Sequence, residues 1–330
     1  MSTADIATRV AAQDIIAPPN TARPGPYPLD ESLYSIDSDG EAFAFMKAQT
    51  GIQDPDELKK HILAVQAEAY SVRILQTQFI RIPASAVEDT LRRLKLGRLP
   101  AYQQLLELGK QRKDAILLDI GCCFGNDLRK AVFDGYAVEN CVASDLHPEF
   151  WDLGHKLFKS TPETFPVPFI PGDAFDSNHL EPVPPFYSPP DTPRPQLPTL
   201  TSLNPLRGHV SAVHASAFFH LFGEAEQLHL AKAIAGLLSP EPGSMIMGAH
   251  GGLPVKGLRN ENGVILNPAR TRPMFCHSPE SWKELWDEQV FEKGTVKVEA
   301  YLHQTDRKDL GMTVPEGTKL YLLVWSITRL

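Results

Sequence analysis

Three short apolar runs in this chain each close on an aspartate. Asp119 ends Ile116-Leu117-Leu118, Asp145 ends Cys141-Val142-Ala143-Ser144, and Asp173 follows Phe169-Ile170-Pro171-Gly172. A carboxylate beside a buried strand end needs a partner, and three of them at successive strand ends point to one shared polar ligand. Gly121 and Gly125 bracket a tight turn after the first run, leading into a helical stretch from Asp127 to Phe133 that Gly135 can terminate. The continuous apolar runs read as strands buried on both faces of a parallel sheet. In open α/β sheets ligands bind at strand carboxyl ends, so the site is expected above this turn.

The residues of the turn narrow the ligand. A dinucleotide loop of type G-x-G-x-x-G keeps glycine where the backbone meets a pyrophosphate. Here Cys123 fills the middle of D-x-G-x-x-x-G, leaving less room for a pyrophosphate but enough for a smaller zwitterion such as S-adenosylmethionine. On that reading Asp119, Gly121, Cys122 and Gly125 meet its amino acid end. Asp145 accepts from the ribose hydroxyls, Leu146 covers one adenine face, and the Asp173-Ala174-Phe175 turn receives the adenine amino group. Tyr102, from the segment before the sheet, is a further candidate cofactor contact.

The segment from about Leu94 to about Val298 resembles a group of fungal S-adenosylmethionine methyltransferases of secondary metabolism. The group includes those that esterify the carboxyl group of farnesylated orsellinic-acid intermediates in meroterpenoid pathways. The resemblance rests on Leu118 to Lys130 (LDIGCCFGNDLRK), Ser144-Asp145-Leu146, Phe218-Phe219-His220-Leu221-Phe222 and Ser278-Pro279-Glu280-Ser281-Trp282. It implies a class I fold, the cofactor and methylation of a small molecule, and a proline-rich insert departs from the group's pattern.

Methyl transfer from a sulfonium requires the protein mainly to position and desolvate the reactants. A carboxylate acceptor needs no base, whereas a phenol benefits from one, and histidine has the suitable pKa. His214 ends the fourth apolar run, His220 lies in the aromatic segment beyond it, and His250 follows the fifth; these three are the catalytic candidates, with His277 close to the same cleft. Arg259, Arg270 and Arg272 form a candidate clamp for a substrate carboxylate. Cys122 and Cys123 read as structural, since Cys141 and Cys276 supply no metal-ligand spacing.

The elements expected to hold these residues are an arm (1–40), a helical cap (41–110) and a catalytic domain (111–330). The catalytic domain is an α/β, Rossmann-like seven-stranded sheet with its last strand antiparallel. In the cap, Asp54 precedes Pro55, and Leu58, Ile62, Val65, Ala69 and Val72 share one helix face. Ser85 and Glu88 have capping-box spacing, and a short helix from Pro100 is expected to stop at Gly109. Residues 176–208 hold nine prolines, which reads as an extended surface loop. The chain has 330 residues and a net charge of -8, against nucleic-acid binding. No run reaches the length of a membrane span and no apolar signal core appears, so the cytoplasm is the default expectation. The expected function is O-methylation of a small secondary metabolite, with a carboxyl group preferred. Phenol, N- or C-methylation and cofactor binding without transfer are the alternatives. A small-molecule acceptor is the expected partner, and homodimer formation is left open.

Overall fold

The structure, a computed structural model, describes residues 40–76, 95–259, 274–305 and 319–330, the side chains of 70–76 and 305 excepted. Two cap helices come first, α1 (Gly40–Thr50) and α2 (Pro55–Gln76). Asp54 caps α2 by accepting from the Glu57 amide (2.8 Å), as Pro55 at the first helical position suggests. Leu58, Ile62, Val65 and Ala69 are buried together with Phe124, Phe150, Leu153 and Leu157, so the apolar face of the cap lies on the sheet domain. Ser85 and Glu88 lie outside the described residues.

Helix α3 (Tyr102–Gln111) runs through Gly109 rather than stopping there. The glycine serves packing instead: a Cβ at this position would fall 2.6 Å from the Tyr136 ring. Then come β1 (Ile116–Ile120), α4 (Asn126–Phe133), β2 (Cys141–Asp145), α5 (Pro148–Leu157), β3 (Phe169–Pro171) and β4 (Val210–His214). They are followed by α6 (Glu224–Ala235), β5 (Met245–Gly252), the hairpin strands β6 (Gly257–Arg259) and β7 (Met274–Cys276), and α7 (Pro279–Glu284), which passes into a π turn (Leu285–Val290). Strands β8 (Val296–Thr305) and β9 (Leu320–Arg329) complete the chain.

Seven strands form one sheet in the order β3-β2-β1-β4-β5-β9-β8, with β9 antiparallel to both neighbours. This is the class I methyltransferase fold. Strand β5 extends through His250 and Gly252, further than its apolar run, because β9 pairs with it from Met245 to Gly252. Every residue of β1 and β4 is buried, which explains their unbroken apolar character. Among the described residues no helix is long and apolar enough to cross a membrane.

The proline-rich segment is not a free surface loop. Leu180, Leu197, Leu203 and Leu206 are at most 2% exposed and belong to the same core as β1, β4 and α6. Two 3-10 turns, Leu197–Thr199 and Asn204–Leu206, present Leu197 and Leu206, and Leu203 precedes the second turn. Polar ties fix the rest: Arg194 donates to Asn140 (2.8 Å), and the Glu292 amide donates to the Tyr187 hydroxyl (2.7 Å). Proline excludes helix and central strand but not burial, and here it stiffens a strap whose leucines cover the sheet.

Candidate functional site

The turn after β1 is held in left-handed backbone at three points, Gly121 (φ 71°), Cys123 (φ 52°) and Gly125 (φ 70°). Cysteine pays a steric cost in that region, and its contacts compensate. The Cys123 amide donates to Asp145 Oδ2 (2.9 Å), while its side chain packs against the cluster that joins Phe45 of the cap to Phe124 and Phe150 of the sheet domain. Gly121 and Cys122 amides both donate to the Ser144 carbonyl (2.8 and 3.2 Å). Rings close both glycines: a Cβ at Gly121 would meet Phe218 at 2.8 Å, and one at Gly125 would meet Trp151 at 2.5 Å. Burial pushes both the Cys122 and Cys123 thiols up, which makes them inert rather than nucleophilic.

Asp145, at the end of β2, accepts from the Cys123 and His147 amides (2.9 and 3.0 Å). Burial raises its pKa and these amides oppose the rise. Its two oxygens retain further lone pairs, so it can still accept from a diol. Leu146 follows with 40% exposure. Asp173 holds the Phe175 amide (2.9 Å) in a local turn, and the Phe175 ring stacks on His229 while Ala174 packs against the core. Tyr102 is 4% exposed and donates its hydroxyl to Asp134 (2.5 Å).

Parallel pairing of β1 with β4 sets Asp119 directly beside His214. His214 Nδ1 donates to Asp119 Oδ1 (2.8 Å), and its Nε2 meets Ser216 Oγ (2.7 Å). Asp119 and His214 are 3% and 2% exposed. Burial lowers the His214 pKa, but the Asp119 charge and hydrogen bond more than reverse this and hold it raised. Sequence reasoning left Ser216 and Asp127 unmarked. Ser216 also accepts from the Ala249 amide (3.2 Å), and Asp127, beneath the turn, accepts from the Leu96 amide (2.7 Å).

His250 and His277 gather around Trp282. His250 is 1% exposed; its Nδ1 accepts from Trp325 Nε1 (3.0 Å), and its ring centroid lies 4.8 Å from that of Trp282. Burial holds its pKa well below the usual histidine range. His277 contacts Ser281 Oγ (2.9 Å) just ahead of the capping box that starts α7, and burial lowers its pKa to about 4. His220 is half-buried on a 3-10 turn, where its Nδ1 accepts from the Gly251 amide (3.2 Å). Of the three catalytic candidates, it is the one with substantial exposure. Arg259 lies on β6, whereas Arg270 and Arg272 lie outside the described residues.

With the fold and the acidic strand ends in place, relatives can be compared. A profile described as a meroterpenoid methyltransferase N-terminal domain matches residues 33–75, which include α1 and most of α2. Methyltransferase AdrK of Penicillium rubens is 30% identical over 237 residues, covering 72% of this chain and 73% of that protein. The chain belongs to this family of fungal meroterpenoid methyltransferases. O-methyltransferase PhiE of a fungal species, another relative, is 32% identical over 202 residues; the match spans 61% of this chain and 58% of PhiE. The asnovolin E/chermesin D methyltransferase NvfJ of Aspergillus novofumigatus is 28% identical, with 72% and 73% of the two chains covered. Among solved structures, the Burkholderia thailandensis 1,6-didemethyltoxoflavin-N1-methyltransferase aligns with a TM-score of 0.44 and 14% identity, over 84% of this chain and 91% of that one. Relative to a dinucleotide turn, this meroterpenoid methyltransferase places a cysteine where glycine is usual and packs it against the cluster that the cap shares with the sheet domain.

Proposed function

We propose that this chain is an S-adenosylmethionine-dependent O-methyltransferase that esterifies a carboxyl group of a terpenoid or polyketide-derived intermediate. The donor set at the strand ends suits that cofactor: Asp145 with spare acceptor capacity, exposed Leu146 beside it, and the Asp173 turn at the next strand. When bound, S-adenosylmethionine supplies a methyl group already activated by its sulfonium charge. The chain's own work is then to position the acceptor and exclude water. Phe218 contributes an apolar wall next to Gly121, backed by the buried Phe219, with Trp282 packed behind Phe219.

The observation that favours a carboxyl acceptor is the state of the histidines. His214 is sealed between Asp119 and Ser216, and His250 is buried with its proton affinity depressed. A phenol would call on a base poised in the cleft. A carboxylate is ionised at neutral pH and asks only to be oriented, a role His220 can fill as a hydrogen-bond donor. The test uses methyl-labelled cofactor and a panel of farnesylated aromatic acids and phenols. A methyl ester releases labelled methanol in mild alkali, as expected here. Label that stays on the product through alkali would overturn the carboxyl assignment.

A further inference from the structure

We infer that Arg259 on the β6–β7 hairpin, beside Gly251, binds the carboxylate of the acceptor; this rests on the carboxyl reading above. Strand β6 alternates, with Leu258 57% exposed on its outer side and Arg259 half-buried on its inner side. The Arg259 guanidinium reaches β5, where a Cβ on Gly251 would lie 3.9 Å from Nη1. Its Nη2 is buried and has no hydrogen-bond partner among the described residues. A guanidinium nitrogen in that state has lost its water without gaining an acceptor, which is costly unless a ligand supplies one. Glu224, the carboxylate at the base of the hairpin, is engaged by Lys256 (2.8 Å).

Gly251 links this arginine to the rest of the site. Its amide donates to His220 Nδ1, so His220 and Arg259 both approach this one glycine. His220 stands two residues after Phe218, whose ring covers Gly121 of the cofactor turn. One short segment therefore runs from the cofactor turn to the arginine. Side chains around it hold more unsatisfied nitrogens: His250 Nε2, His277 Nε2 and Trp282 Nε1 are buried without hydrogen-bond partners among the described residues. The His250 centroid lies 6.3 Å from that of His220, and the His277 centroid 5.2 Å from that of Trp282. A planar carboxylate matches a guanidinium in bidentate fashion, and the apolar rings beside it strengthen the pairing by excluding water. The hairpin is anchored for this purpose at its far side, where Gln227 donates to the Phe275 carbonyl (3.1 Å) and the Leu253 amide donates to the His277 carbonyl (3.1 Å).

The experiment uses the full chain loaded with S-adenosylhomocysteine and two probes, a farnesylated orsellinic acid and its primary amide. Calorimetry should find the acid bound about 10- to 100-fold more tightly than the amide, the range of a charge-assisted contact. Arg259→Met should erase that difference while leaving amide and S-adenosylhomocysteine affinities unchanged, and Arg259→Lys should restore part of it. Equal binding of acid and amide to the wild type would overturn the inference, as would undiminished acid binding by Arg259→Met. Turnover of the acid separates the two levels of the argument. An alkali-labile product with the same KM in wild type and Arg259→Met sinks the arginine while sparing the carboxyl reading. An alkali-stable product sinks the carboxyl reading itself.

Discussion

Replacing His214 tests whether it is a base or a structural partner. The His214→Ala change leaves the Asp119 carboxylate, 3% exposed, without the ring that donates to it at 2.8 Å. Removing one member of a buried pair costs about 3–5 kcal/mol, because the remaining charge is stranded. That is a large part of the roughly 5–15 kcal/mol that holds a domain folded. Urea denaturation should read the loss directly. Adding Asp119→Asn to His214→Ala removes the stranded charge, so the double variant should lose less than the sum of the singles. Charge linkage gives a second readout. The folded pKa of His214 is raised, so its contribution is complete below the unfolded value of about 6.5 and drains away as pH rises through the folded value. Wild-type stability should carry that decline on the alkaline side, and His214→Ala should lack it. A structural histidine also limits the kinetic effect: single-turnover methyl transfer by cofactor-saturated His214→Gln should fall by less than about 100-fold, the lower end of a general-base contribution. A stability loss under about 1 kcal/mol for His214→Ala, or a well-folded His214→Gln slowed more than about 100-fold, would refute the reasoning.

Three further outcomes are expected. Asp145→Ala should weaken S-adenosylmethionine binding by about 1.5–3 kcal/mol in calorimetry, and unchanged affinity would remove Asp145 from the ribose. Leu203→Ala, in a strap residue with no exposure, should cost about 2–5 kcal/mol in urea melts, and deletion of 177–203 should abolish soluble protein. A soluble deletion variant with wild-type stability would restore the surface-loop view. His277 is held neutral with its pKa lowered to about 4, so the unfolded chain takes up a proton between there and about 6.5 that the folded chain does not. Stability should therefore fall with pH through that window and fall less steeply in His277→Gln; parallel pH profiles would exclude the assignment.

Much of the framework was legible because local chemistry dictates it. Runs such as Ile116-Leu117-Leu118 have no polar side to show water, so they must lie inside a sheet covered on both faces. Asp54 before Pro55 and Ser278 before Pro279 cap helices for reasons confined to one turn of chain. Gly121 and Gly125 occupy backbone that other residues enter at a cost, and their spacing marked the tight turn after β1. The order of acidic strand ends then placed the candidate site at one edge of the sheet.

Other features were decided by neighbours far along the chain. Asp119 and His214 are 95 residues apart, and only the parallel register of β1 and β4 sets them side by side and makes one the partner of the other. In strands buried on both faces, no alternation of polar and apolar residues announces which way a side chain points. Gly109 looked like a helix stop, yet Tyr136 from beyond β1 occupies the space a side chain would need. The leucines of the proline-rich strap follow no helical or strand period, so nothing local assigned them to the core. What buries them is the open face of a sheet built from other segments, since apolar surface is covered by whatever chain can reach it. The sequence alone thus determined the fold class and the glycine turn after β1, where the physics acts over a few residues. Tertiary contact decided which histidine stays in the cleft, which is locked away, and what the prolines are for.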